Sequence, residues 1–123
     1  MAKTHFEKLE VYQKAETLSN IVWDIVLYWD GFAKHALGKQ LVRSTDSIVA
    51  NIAESIGREP TTDRCHFIHM VRGSLYETQN WLRRAYSRDL LTDEQTDTIK
   101  PLLNALAPML NAYLRALRSR SKN

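Results

Sequence analysis

Gln40-Leu41-Val42-Arg43-Ser44-Thr45-Asp46-Ser47-Ile48-Val49-Ala50-Asn51-Ile52-Ala53-Glu54 has the period of a helix and, along one edge, the composition of an interface. At 100° per residue, Leu41, Thr45, Ile48 and Ile52 share one face. Ser44 and Asn51 fall on the shoulder of that face, with Ser47 and Glu54 just beyond. A surface helix ordinarily carries Lys or Glu there, and a core helix carries Leu or Ala. A strip of hydroxyl, amide and carboxylate at a burial boundary predicts a specific polar contact with another helix. The apolar sector is also wide, because Val42, Val49 and Ala53 extend it sideways, which suggests burial on two sides.

Outward from this run the helical period continues in both directions, and no alternating run of useful length appears. A first helix is predicted over about residues 6–29, with Val11, Ala15, Leu18, Val22, Ile25, Val26 and Trp29 as its buried stripe and Asp30-Gly31 as its stop. A short link from Phe32 to His35 leads to a second helix over about 36–56, where Gly57 is expected as a left-handed cap. Pro60-Thr61-Thr62-Asp63 supplies a turn with two candidate N-caps. A third helix follows over about 63–87, with Ile68, Val71, Leu75, Thr78, Leu82 and Ala85 inward. Thr92 and Gln95 form a capping box that opens a fourth helix over about 93–118. Pro101 and Pro108 lie on its polar stripe, so the carbonyls they leave unpaired face water, and one curved helix is expected. A break near Pro101 is the alternative. Short connections make the default architecture an all-α, antiparallel up-down-up-down four-helix bundle in one domain.

The 123-residue length suits such a domain, and the one cysteine, Cys65, excludes an internal disulfide framework. No stretch approaches the roughly 20 apolar residues that span a bilayer. Residues 1–8 hold no apolar run, so a cytoplasmic chain without leader or membrane anchor is expected.

Chemistry-bearing patterns are sparse. Glu54 and Glu77 fall on neighbouring helices, as in di-iron bundles, but Gly57 and Asn80 stand where the Glu-x-x-His partner histidines belong. His66 and His69 lie three apart and lack a third ligand, and Cys65 points about 100° away from His66. No phosphate loop or nucleophile elbow is present. No catalytic residue, cofactor or metal is therefore expected.

Two surface features remain. Gly73-Ser74 in mid-helix permits close approach of another helix, and Met70 and Glu77 share the outer face of the third helix. The cations are unevenly placed within a net charge of +3. Arg83, Arg84 and Arg88 cluster, and residues 115–123 carry Arg115, Arg118, Arg120 and Lys122 with no acid. Such patches attract phosphate backbones, and equally a solvated helix end offsets its own macrodipole with cations.

Gln40-Leu41-Val42-Arg43, Ser47-Ile48, Ala50-Asn51-Ile52-Ala53-Glu54, Gly57-Arg58 and Gly73-Ser74-Leu75 with Glu77 resemble the signature of a family of small bacterial four-helix-bundle proteins. Genes of that family were first noticed in intervening sequences of 23S ribosomal RNA genes. Phe6, Leu9, Val11-Tyr12 and Lys14-Ala15 extend the resemblance over nearly the whole chain. Val49 departs from a frequent proline, which removes an expected kink, and Ser55 departs from a common glycine. The resemblance implies a homopentameric ring and no catalytic activity. It also implies a distant likeness to the accessory variability protein of diversity-generating retroelements, which binds nucleic acid and a reverse transcriptase. By that likeness Asn51, Glu54, Ser74 and Glu77 are structural residues at helix or subunit contacts, alongside Ser44 and Ser47 in one polar seam.

The leading expectation is a non-enzymatic homo-oligomer that binds RNA, DNA or a nucleic-acid enzyme through the seven cations. An interaction scaffold without nucleic-acid binding is the alternative, and a metal-binding bundle enzyme is the third.

Overall fold

The computed structural model describes residues 9–121, and side chains through Ser119. Those residues form four helices and no strand. α1 is Glu10–Leu27, α2 spans 31–56, α3 is Thr61–Ser87 and α4 is Asp93–Ser121. α1 packs on α2, α2 on α3, α3 on α4 and α4 on α1, closing a cycle around one core. Leu18, Leu37, Leu41, Ile48, Ile52, Ile68, Leu106 and Leu110 are almost wholly buried there. Truncating any one of them to alanine costs about 2–5 kcal/mol.

The first connection differs from expectation. α1 stops at Leu27, where the Tyr28 and Trp29 N–H groups tighten onto the Ile25 and Val26 carbonyls. Asp30 is a start signal rather than a stop, because its Oδ1 accepts from the Ala33 N–H at 2.8 Å. An Asp before a glycine reads equally well as N-cap or as terminator, and here the cap wins. Phe32–His35, expected as a link, is therefore helical. α2 opens with an α-turn, Gly31–Ala33, widens through a π-helical segment, Lys34–Gly38, and continues as α-helix over Lys39–Ile56. The widened turn puts Gly38 against α1, where a Cβ would lie 2.6 Å from Val26 Cγ1.

Gly57 is not left-handed: its φ is −77° and its N–H bonds the Glu54 carbonyl. The helix has ended at Ile56 with Gly57 in a right-handed turn, and Pro60 then disfavours a helical conformation at Glu59. α3 then begins at Thr61, two residues earlier than predicted, and its extended N-cap position is Pro60 with no side-chain cap. The left-handed residue among those described is Asp89, with φ 60°. It closes α3 as a Schellman motif, with Leu90 N–H to the Ala85 carbonyl at 2.9 Å and Asp89 N–H to Tyr86 at 3.1 Å.

The Thr92–Gln95 capping box forms as predicted, with reciprocal bonds of 2.9 and 3.0 Å. α4 runs unbroken through Pro101 and Pro108, both exposed. Asp97 and Asn104, whose carbonyls lose their proline partners, are exposed too. No helix among the described residues is long and apolar enough to cross a membrane.

Candidate functional site

The α2–α3 contact is the most extensive in the molecule. Short side chains along the seam let the two backbones come together. Thr78 Oγ1 donates to Ser44 Oγ at 2.8 Å, and Ser44 Oγ donates to the Leu41 carbonyl at 3.0 Å. Both residues are buried. Further along, Ser47 Oγ and Ser74 Oγ share a bond of 2.9 Å, while Asn51 Nδ2 donates to the Ser47 carbonyl at 2.8 Å and to Ser47 Oγ at 3.0 Å. Thr45 satisfies its hydroxyl on the carbonyls of its own helix. No buried side-chain nitrogen or oxygen among the described residues lacks a partner.

The two predicted carboxylates lie beside this network rather than in it. Glu54 pairs with Arg58 one turn on, and both are about half exposed. Glu77 is exposed and accepts from Trp81 Nε1 at 3.3 Å. The seam is made of hydroxyls and one amide, bonded to neighbours along and across the two helices. Its physical work is to fix the register of two helices.

Three polar ties escape sequence reasoning. Ser19 Oγ donates to Asp46 across α1 and α2. Arg64 Nε donates to the Ser55 carbonyl at 3.1 Å and Arg64 Nη2 to Tyr113 OH at 3.2 Å, joining α2, α3 and α4. Trp29 Nε1 donates to the Leu90 carbonyl at 3.0 Å, locking the first connection to the third. Each partner lies 27 to 61 residues away along the chain, except for Arg64 with Ser55, so no local pattern announces them.

His66 and His69 are exposed on α3, with His69 Nε2 beside Arg118 Nη2 at 3.3 Å. No group of three or more His, Cys, Asp or Glu that could hold a metal occurs among the described residues. Cys65 is half-buried against the core. Gly73 is exposed, and a Cβ there would meet nothing of its own chain.

The cations separate into two groups. Arg83, Arg84 and Arg88 are exposed at the C-terminal end of α3, and Arg115 and Arg118 are exposed near the end of α4. Because Arg118 meets His69, the two groups lie roughly 21–28 Å apart, the rise of α3 from residue 69 to residues 83–88. The side chain of Arg120, and Lys122 altogether, lie outside the described residues. Arg83, Lys100, Asp93 and Asp97 line a cleft of about 590 Å³, so carboxylates balance the cations there. Tyr86 OH donates to Asp93 Oδ1 at 3.0 Å, and that bond, then the Asp93 charge, raises the phenol above its usual range.

The sequence profile of the 23S rRNA-intervening sequence protein family matches residues 7–112. No individually curated protein matches the chain. Among solved structures, a protein of unknown function from the S23 ribosomal protein family of Bacteroides thetaiotaomicron is similar, with a TM-score of 0.78 and 22% identity. The alignment covers 85% of this chain and 95% of that one, and at this identity it speaks for the fold.

Proposed function

The chain belongs to the 23S rRNA-intervening sequence protein family, and from that premise we propose that it is a non-enzymatic, homo-oligomeric bundle that binds nucleic acid as a cytoplasmic accessory factor. One observation carries the reading: Arg84, Arg88 and Arg115 are exposed, lie outside the carboxylate-lined cleft and enter no ion pair among the described residues. Uncommitted guanidinium groups are the electrostatic footprint of a phosphate-binding surface.

The antiparallel arrangement is supported by the seam's register, in which 44 pairs with 78 and 47 with 74. A pentameric ring, implied by the family resemblance, would repeat each cation group around an axis and turn a weak patch into several phosphate contacts. Exposed Gly73, with Met70 and Tyr76 on the same helix, gives a neighbouring subunit room to approach closely.

The test is a titration of structured RNA and duplex DNA across salt concentration, with the oligomer sized by sedimentation. Binding is expected to weaken linearly in log–log form as salt rises. Absence of salt-sensitive retention at low salt would remove the nucleic-acid reading. The same surface then favours the second reading, a scaffold whose exposed Met70 and Tyr76 receive a protein partner.

A further inference from the structure

The outer groove between α1 and α2 is unlike the rest of the surface. Trp23 is 53% exposed and Leu27 48%, and both line it opposite Lys34, Lys39 and Arg43. Val26 and Gly38 are also among its lining residues, and its volume is about 460 Å³. Beyond its lining, where α1 gives way to α2, Tyr28 and Phe32 are 90% and 84% exposed. Four large apolar side chains thus stand in water within ten residues of chain, at a real solvation cost.

The groove lining contains three cations and no carboxylate. Asp30, which caps α2, and Asp46, which accepts from Ser19, keep their charge about one turn beyond the two ends of this cation row, and neither lines the groove. Asp24 follows Trp23 directly and so projects about 100° round α1 from it. The α3–α4 cleft, with its two aspartates, has no such one-signed character. Lys34 to Arg43 extend about 14 Å along α2, so the cations form a row beside the aromatic wall.

A positive row beside exposed aromatic rings has a specific complement. Unpaired bases stack on aromatic faces while the attached phosphates follow the cations, and a duplex, whose bases are already stacked, meets only half of this arrangement. A second copy of the same groove would be repelled by the cations. We propose that the α1–α2 groove binds single-stranded nucleic acid, with a base on Trp23 and phosphates at Lys34, Lys39 and Arg43. This deepens the nucleic-acid reading and rests on it, but none of the seven cations predicted from the sequence lines this groove.

The test uses the whole chain, a short fluorescently labelled oligouridylate and a hairpin duplex, read by anisotropy. The single strand is expected to bind more tightly, with a log–log salt slope of about −2 for three phosphates. Trp23→Ala is expected to weaken single-strand binding about tenfold at an unchanged slope. Lys39→Ala with Arg43→Ala is expected to reduce the slope to about −1. Thermal melting checks that each variant folds, and because Trp23, Lys39 and Arg43 sit at the surface, little packing is lost. Wild-type single-strand affinity in the aromatic variant, with loss in Arg84→Ala/Arg115→Ala, overturns the groove and leaves nucleic-acid binding standing. Absence of binding to either probe removes both readings. A changed sedimentation coefficient in the aromatic variant makes the patch a contact between copies and overturns the proposal.

Discussion

Gly38→Ala is expected to destabilise the protein, against the usual gain of replacing a helical glycine. The new Cβ would stand 2.6 Å from Val26 Cγ1, about 0.8 Å inside ordinary contact, and 3.5 Å from Trp29 Cε3. Val26 is buried and β-branched, so in a helix it has one strongly preferred rotamer and cannot swing aside. Overpacking of this kind costs about 1–3 kcal/mol, and helix propensity returns about 0.5–1 kcal/mol. A net loss of about 1–2 kcal/mol follows, or about 4–8 °C in melting temperature for a domain of this size. The decisive measurement is a double-mutant cycle by thermal or urea unfolding at fixed protein concentration. In a Val26→Ala background the clash is gone, and Gly38→Ala should stabilise by about 0.5–1 kcal/mol, giving a coupling of about 1–3 kcal/mol. Equal effects of Gly38→Ala in the two backgrounds would refute the steric account of the π-helical turn.

The seam and the α3 terminus give two further expectations. Thr78→Val leaves Ser44 still bonded to the Leu41 carbonyl and should cost about 1 kcal/mol, whereas Ser44→Ala strands a buried hydroxyl and should cost about 1–3 kcal/mol. The double variant removes both groups, so urea unfolding should show a loss about 1 kcal/mol smaller than the sum; strict additivity would mean that the two hydroxyls do not depend on each other. Asp89→Gly relieves a left-handed backbone at φ 60° and should stabilise by about 0.5–1 kcal/mol in a thermal melt, while a lower melting temperature would show that the aspartate does more than tolerate its conformation.

Features whose physics is local were legible in the chain. The Thr92–Gln95 box needs partners three residues apart, and both are visible. Ser44, Ser47, Asn51 and Ser74 read as an interface because small polar residues beside an apolar stripe have few other uses. The first connection was misread because Asp30-Gly31 carries two contradictory signals, and Trp29 and Gly38 resolve them only once α1 and α3–α4 are in place. Glu54 and Glu77 share the helical phase of the seam, yet each finds a partner one turn away on its own helix.

By itself the sequence determined four helices, their inward faces and the polar edge between the second and third, because periodicity and capping depend on neighbours within about one or two turns. Only the tertiary structure decided that the arginines of α3 and α4 lie at opposite ends, that Gly38 must remain small, and that Trp23 stands exposed beside a row of cations. Those facts depend on which helix lies against which and at what depth, and a helical period carries no information about its partner.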